Sequence, residues 1–305
     1  MSTPKNIAGN AFSNALDPTI GDQIRTLEAE AIMATAPCGD GTMPFRTWQP
    51  VGCEMGCELV VLLHGGAGSW SHWIRNIPVL SNNYELVVPD LPGLGDAASL
   101  PKDTPPEAVA EIVANGLQAV VGQRRFHLIC FSWGSVVGSL VAAQLGLQVK
   151  SILLVGPASL GRMNQAPNKI KLRSLSREMT AEEIEKTHRE NLAQLMIYDR
   201  AHIDGMAVTL QEMNITRSRY NSPQYANGEF VLDGIKATSA NLMVIYGSED
   251  AVAGNSIEKR KQCLKQIRPD VHFETARGVG HWLQYEHADW FNIRAVNWIE
   301  SNIST

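Results

Sequence analysis

Phe126-His127-Leu128-Ile129-Cys130-Phe131-Ser132-Trp133-Gly134-Ser135 is the stretch whose reading decides the fold. It opens as an apolar run bounded by polar residues, the pattern of a short buried strand. It ends at Ser132-Trp133-Gly134, and Val136, Val137, Leu140, Val141 and Leu145 then recur at helical spacing. A strand running straight into a helix, with a serine at the junction and a glycine two residues on, has the layout of a nucleophile elbow. The usual pattern is G-x-S-x-G; here Cys130 stands in the first glycine position. Cysteine is small enough for the turn. The bland alternative is a serine that merely caps the next helix.

Working outward, the same alternation repeats. Leu59-Val60-Val61-Leu62-Leu63 is fully apolar and runs into His64-Gly65-Gly66-Ala67-Gly68. Tyr84 to Asp90 is a further strand, closed by Leu91-Pro92-Gly93. Pro105-Pro106 opens a helix with Val109, Ile112, Val113, Leu117 and Val120 on one side. Ser151 to Val155, Leu242 to Tyr246 and His272 to Thr275 complete the strands, and a last helix follows Glu286. Apolar strands alternating with amphipathic helices predict an α/β fold: a mostly parallel central sheet with helices on both faces.

Toward the start, residues 1–16 read as a loose arm and Asp17-Pro18 as a helix start, with Ile24, Leu27, Ala31 and Ile32 in register. Pro37 to Gly41 breaks that helix, and Met43 to Val51 alternates as an early strand near a sheet edge. From about 158 to 238 helices occur without a convincing strand. Thr180-Ala181-Glu182-Glu183 is a capping box, and a second helix starts after Asp204. The predicted organisation is an N-terminal arm and helix over 1–42, a first core part over 43–157, an inserted helical cap over 158–238 and a second core part over 239–305.

The chemistry is expected at loops past the strand ends, where an open parallel sheet gathers its site. A serine hydroxyl needs a base to take its proton and a third group to orient that base. Asp250, in Gly247-Ser248-Glu249-Asp250, follows one strand, and His281, in Gly278-Val279-Gly280-His281, follows the next. Glu249 is the competing acid. The oxyanion is expected to meet the backbone N–H of Trp133, at a helix start, and that of Gly66 in the glycine-rich loop. His64 is read as a brace for that loop. His72, Phe131, Gln211, Val252 and Trp282 are the candidate substrate-pocket residues. Trp70, Trp73, Trp133 and Trp282 flank the site and suggest an apolar pocket.

These marks together resemble the α/β-hydrolase superfamily across about residues 43–302. The resemblance rests on His64-Gly65-Gly66, Pro89-Asp90-Leu91-Pro92-Gly93, the turn at Ser132, Asp250 and His281, with serine, acid and histidine in that family's order. Within it the chain is most similar to the meta-cleavage-product C–C hydrolases. The stretches that carry this are Gly68 to Ile77, Tyr198-Asp199 and Gly280 to Asp289. The last implies that Trp282 lines the pocket. The chain departs from that group at His72 and Phe131, where asparagines are usual. It also departs at Gln211, where rough register places the cap arginine that holds a carboxylate. Glutamine does not replace that fork-shaped cation. Arg217 or Arg219, on a neighbouring turn, is the alternative cation.

The expectation is a cofactor-independent serine hydrolase for a small, fairly apolar ester or ketone-activated C–C substrate, leaning toward the ester. The alternatives are hydrolysis of aromatic ring-fission products, lyase or cofactor-free oxygenase chemistry on the same scaffold, and a non-catalytic binder. Composition narrows the partners. The 305 residues are 44% apolar with a net charge of −5 and no long basic run, which argues against nucleic acid. No signal-peptide pattern or apolar run of about 18 residues occurs, so a cytoplasmic chain without membrane contact is expected. A homo-oligomer is left open. The five cysteines are expected as reduced thiols, and Cys53 and Cys57 lack a second pair at metal-ligand spacing.

Overall fold

Strands buried on both faces dominate the centre of the molecule. The computed structural model describes residues 18–53, 56–162 and 170–304. After helix α1 (Pro18–Ala29) come β1 (Ile32–Cys38), β2 (Gly41–Trp48) and β3 (Leu59–Leu63). A 3-10 turn at Trp70–Trp73 and the short α2 (Ile77–Leu80) lead to β4 (Glu85–Pro89). Then follow α3 (Pro106–Val121), β5 (Phe126–Phe131), α4 (Trp133–Leu145) and β6 (Val149–Val155). The stretch before the next strand holds α5 (Ala181–Leu195), α6 (Gly205–Thr216) and α7 (Phe230–Lys236). β7 (Asn241–Gly247), α8 (Ile257–Ile267), β8 (His272–Ala276), α9 (Leu283–Glu286) and α10 (Ala288–Glu300) close the chain.

The strands form one sheet in the order β1-β2-β4-β3-β5-β6-β7-β8. β1 and β2 are an antiparallel hairpin, β2 runs antiparallel to β4, and every later pairing is parallel. Successive side chains of a strand point to opposite faces. In β3, Val61 and Leu63 accordingly join the core under α3 and α4, while Val60 and Leu62 join the core under α2 and α10. Because both faces are covered, the central strands carry no polar alternation.

Three expectations change. The first helix stops at Ala29, and Ile32 opens β1, paired with Thr47 of β2. β1 is the true edge strand. Its Ile32 and Met33 are exposed, so its inside–outside alternation is weak in the sequence, and β2 is held on both sides. The sheet thus begins within the stretch read as arm and helix. The arm itself, 1–16, and Asp17 lie outside the described residues. The stretch 158–238 is not all cap: Val231, Leu232 and Ile235 of α7 belong to the sheet-face core, and a Cβ on Gly234 would be 2.6 Å from the Ser139 Cβ of α4.

The cysteines also divide. Cys53 and Cys57 form a disulfide, their Cα atoms 6.1 Å apart, in the loop before β3. Gly52 and Gly56, at φ 82° and 108°, adopt the left-handed backbone that a tight loop requires. Cys38, Cys130 and Cys263 are free thiols. No helix among the described residues is long and apolar enough to cross a membrane.

Candidate active site

Ser132 sits where β5 turns into α4, with φ 50° and ψ −110°, a conformation L side chains rarely adopt. Its N–H is tied to the Val155 carbonyl of β6 at 2.9 Å. Gly134 makes the turn possible, since a Cβ there would collide with the carbonyl oxygens of Leu63 and His64. Cys130 fits where a glycine is usual because α4 carries a second glycine opposite it: a Cβ on Gly138 would collide with the Cys130 sulfur.

Two loops bring the partners. His281, after β8, places Nε2 2.9 Å from Ser132 Oγ and Nδ1 2.8 Å from Asp250 Oδ2. The other carboxylate oxygen of Asp250 accepts the N–H groups of Val252 and Ala253 at 2.8 and 2.9 Å, which fixes its orientation. Glu249, the competing acid, is exposed and accepts the Ser248 hydroxyl instead. Gly156, at φ 54°, leaves room for the imidazole: a Cβ there would stand 3.0 Å from His281 Cε1 and Nδ1. The His281 loop is anchored through Glu286, whose buried carboxylate accepts the N–H of Gly280 at 2.8 Å. The same carboxylate accepts Tyr198 and Asp199 at 3.1 and 2.7 Å.

The glycine-rich loop after β3 is held by two histidines. The Leu91 N–H donates to His64 Nε2 at 2.8 Å, so Nδ1 carries the proton and donates to the Gly65 carbonyl at 2.8 Å. The Gly65 N–H donates to His72 Nδ1 at 3.2 Å. Burial holds His64 below its ordinary value and, with the neighbouring His64 and His281, holds His72 well below it. Both rings are therefore neutral, as these hydrogen bonds require. Gly66 and Trp133 both line the cavity, a Cβ added to Gly66 standing 3.7 Å from the Trp133 Cβ, and Trp133, as the first residue of α4, has an N–H with no intrahelical acceptor.

A cavity of about 760 Å³ opens over Ser132 and His281. Its wall includes Gly66, Phe131, Trp133, Val252, Leu172, Leu195 and Met196. Among the described residues, no Asp, Glu, Lys or Arg lines it. Three pocket expectations fail. His72 is buried beneath the wall, its ring centroid 5.4 Å from Phe131 and 5.1 Å from Trp282, because its ring is used to hold Gly65. Trp282 is also off the wall: it stacks on Tyr285 at 4.2 Å and donates to the His72 carbonyl at 3.1 Å. Gln211, half-buried on α6, does not reach the cavity. Nor do the alternative cations. Arg217 pairs with Asp96, and Arg219 donates to Ser99 Oγ and to the carbonyls of Gly95, Ala97 and Arg217. Sequence reasoning missed Ser159, Tyr220, Asn221 and Ser222 on the wall. They lie in irregular segments with no periodic signal. Among the described residues, no cluster of His, Cys, Asp and Glu could hold a metal ion.

The sequence profile of the alpha/beta hydrolase family matches residues 60–294. The chain belongs to the alpha/beta hydrolase family. Among curated relatives of this hydrolase is a 2-hydroxy-6-oxo-6-phenylhexa-2,4-dienoate hydrolase of Burkholderia cepacia. It is 25% identical over 252 residues, covering 77% of this chain and 85% of that protein. Another is a 2-hydroxy-6-oxononadienedioate/2-hydroxy-6-oxononatrienedioate hydrolase of Paraburkholderia phymatum, 27% identical over 78% of this chain and 85% of that protein. Solved structures share the fold. A putative lipase from Acinetobacter baumannii superposes with a TM-score of 0.73 at 17% identity, covering 94% of this chain and 96% of that chain. A putative aryl esterase from Burkholderia cenocepacia gives a TM-score of 0.69 at 20% identity over 90% of this chain and 100% of that one. A meta-cleavage product hydrolase from Pseudomonas fluorescens gives 0.68 at 18% identity over 90% and 99%. The hydrolase thus resembles the meta-cleavage-product group, as its motifs indicated.

Proposed function

We propose that this hydrolase is a cofactor-independent serine esterase for small, uncharged, largely apolar esters. The observation that carries the reading is the bridge made by His281 between Ser132 Oγ, at 2.9 Å, and Asp250, at 2.8 Å, under a largely apolar cavity. Ser132 Oγ attacks the ester carbonyl carbon while His281 Nε2 takes its proton. Asp250 keeps the proton on Nδ1 and stabilises the imidazolium. The amides of Gly66 and Trp133 hold the oxyanion. Collapse of the tetrahedral intermediate breaks the bond to the alcohol oxygen, which takes the proton from Nε2. Water then enters by the same route and releases the acid.

The absence of cationic side chains from the cavity wall, among the described residues, supports a neutral substrate. A dienoate carboxylate brought there would lose water without gaining a charged partner. A second reading, C–C hydrolysis of a ring-fission dienoate, is favoured by the names of the curated relatives. The two are separated by assaying p-nitrophenyl esters of two to six carbons beside a 2-hydroxy-6-oxo-dienoate. Ester turnover that disappears in Ser132→Ala supports the first reading. Turnover of the dienoate alone would replace it with the second.

A further inference from the structure

Beside the two candidate oxyanion amides stands a hydroxyl that this mechanism leaves idle. Ser222 opens a 3-10 turn, Ser222–Tyr225, in the segment between α6 and α7. It lines the cavity and is 8% exposed. A Cβ added to Gly66 would collide with the Ser222 Oγ and would stand 3.7 Å from the Trp133 Cβ. The hydroxyl therefore rests against Gly66 on the side that approaches Trp133. Among the described residues Ser222 Oγ has no hydrogen-bond partner.

The segment that carries this hydroxyl is clamped to the core. The Arg219 N–H donates to the Gly93 carbonyl at 2.9 Å. The hydroxyls of Tyr220 and Tyr225 both donate to the Thr104 carbonyl, at 2.7 and 3.0 Å. The rings of Tyr220 and Tyr225 pack on Trp133, with centroids 5.3 and 6.0 Å away. Ser222 is thus fixed, on both sides, to the residue whose amide starts α4. A buried hydroxyl on the cavity wall with no protein partner is free to turn its single proton toward any charge that forms beside it.

We propose that Ser222 is a third oxyanion donor, its O–H hydrogen-bonding the developing oxyanion beside the Gly66 and Trp133 amides. The inference rests on the serine-esterase reading above. No proton is transferred to the oxyanion and no bond to Ser222 forms; the hydroxyl stabilises negative charge present only in the transition state and the intermediate. The oxyanion hole is then complete only when the 218–226 segment is seated on the core.

The test uses the full chain with p-nitrophenyl butyrate and a fluorophosphonate, whose reaction with serine also builds negative charge on an oxygen in the same place. Ser222→Ala should lower kcat roughly 10–100-fold, leave KM within about twofold, and slow labelling by a similar factor at an unchanged melting temperature. Ser222→Cys, a weak donor of similar size, should fall between. Wild-type kcat and labelling rate in Ser222→Ala would overturn the proposal. So would a raised KM at unchanged kcat, an equal loss of stability and activity, or a fully active Ser222→Cys. A wild-type chain that does not label at all would overturn the nucleophile assignment, and this inference with it.

Discussion

The Nδ1–H of His64 and the carbonyl oxygen of Gly65 are 2.8 Å apart, and that carbonyl belongs to the same planar peptide as the Gly66 N–H. Holding the oxygen on one side aims the N–H to the other. His64 thus controls a candidate oxyanion donor without touching the cavity. His64→Leu should lower kcat on an aryl ester by roughly 10²-fold, near the loss seen when one oxyanion donor is removed. A folded His64→Leu protein with undiminished kcat would separate this brace from turnover.

Backbone strain at Ser132 supplies a second test. Its φ of 50° and ψ of −110° cost about 1–3 kcal/mol for a residue with a Cβ. Glycine meets no such cost, though it loses about 0.5–1 kcal/mol through the greater freedom of its unfolded chain. Ser132→Gly should therefore abolish turnover yet melt at or above the wild-type temperature. A clear drop in melting temperature would remove the strain argument.

Glu286 joins the His281 loop to the chain at Tyr198 and Asp199 by accepting three N–H groups. Glu286→Gln turns one acceptor into a donor facing those N–H groups. Leaving a buried donor unmet costs about 1–3 kcal/mol. The variant should unfold at lower urea concentration by about that amount and lose kcat, with KM changed less. Equal urea midpoints would contradict this account.

Three buried histidines, His64, His72 and His127, prefer the neutral form in the folded chain. For His127 burial is the largest cause; Glu58 opposes it, and Lys150 adds to it, leaving the group at about 4 against an ordinary value of 6.5. The unfolded chain then binds more protons than the folded one between those values, so stability rises with pH across the window. The contribution is complete above pH ~6.5 and lost as pH falls through about 4, amounting to up to about 3 kcal/mol for His127. Urea midpoints should drop from pH 7.5 to 5, and His127→Gln should flatten the slope. A midpoint that holds steady over that range would refute the assignment.

The sheet was legible because its central strands are covered on both faces. Runs such as Leu59–Leu63 and 128–131 are then apolar throughout, and that pattern survives in one dimension. β1 was not legible, because an edge strand with exposed Ile32 and Met33 lacks a clean alternation. Ser132, Asp250 and His281 stood out by residue type at strand ends. Residue order alone favours Asp250, third after Gly247, over Glu249; the distances among the three side chains needed the loop conformation.

By itself, the chain's order of residues determined the parallel central strands and put Ser132, Asp250 and His281 just past their carboxyl ends. Backbone hydrogen bonding and burial impose that much locally. Only the tertiary structure decided what forms the cavity wall. His72 and Trp282 turn inward to hold the loop beneath it, Arg217 and Arg219 go to the 95–99 loop, and Ser222 arrives beside Gly66. Apart from the His72–Gly65 bond, those outcomes depend on contacts between segments more than a hundred residues apart, such as Arg219 on Gly93. Such contacts are set by how the packed faces fit together, and no periodicity along the chain encodes them.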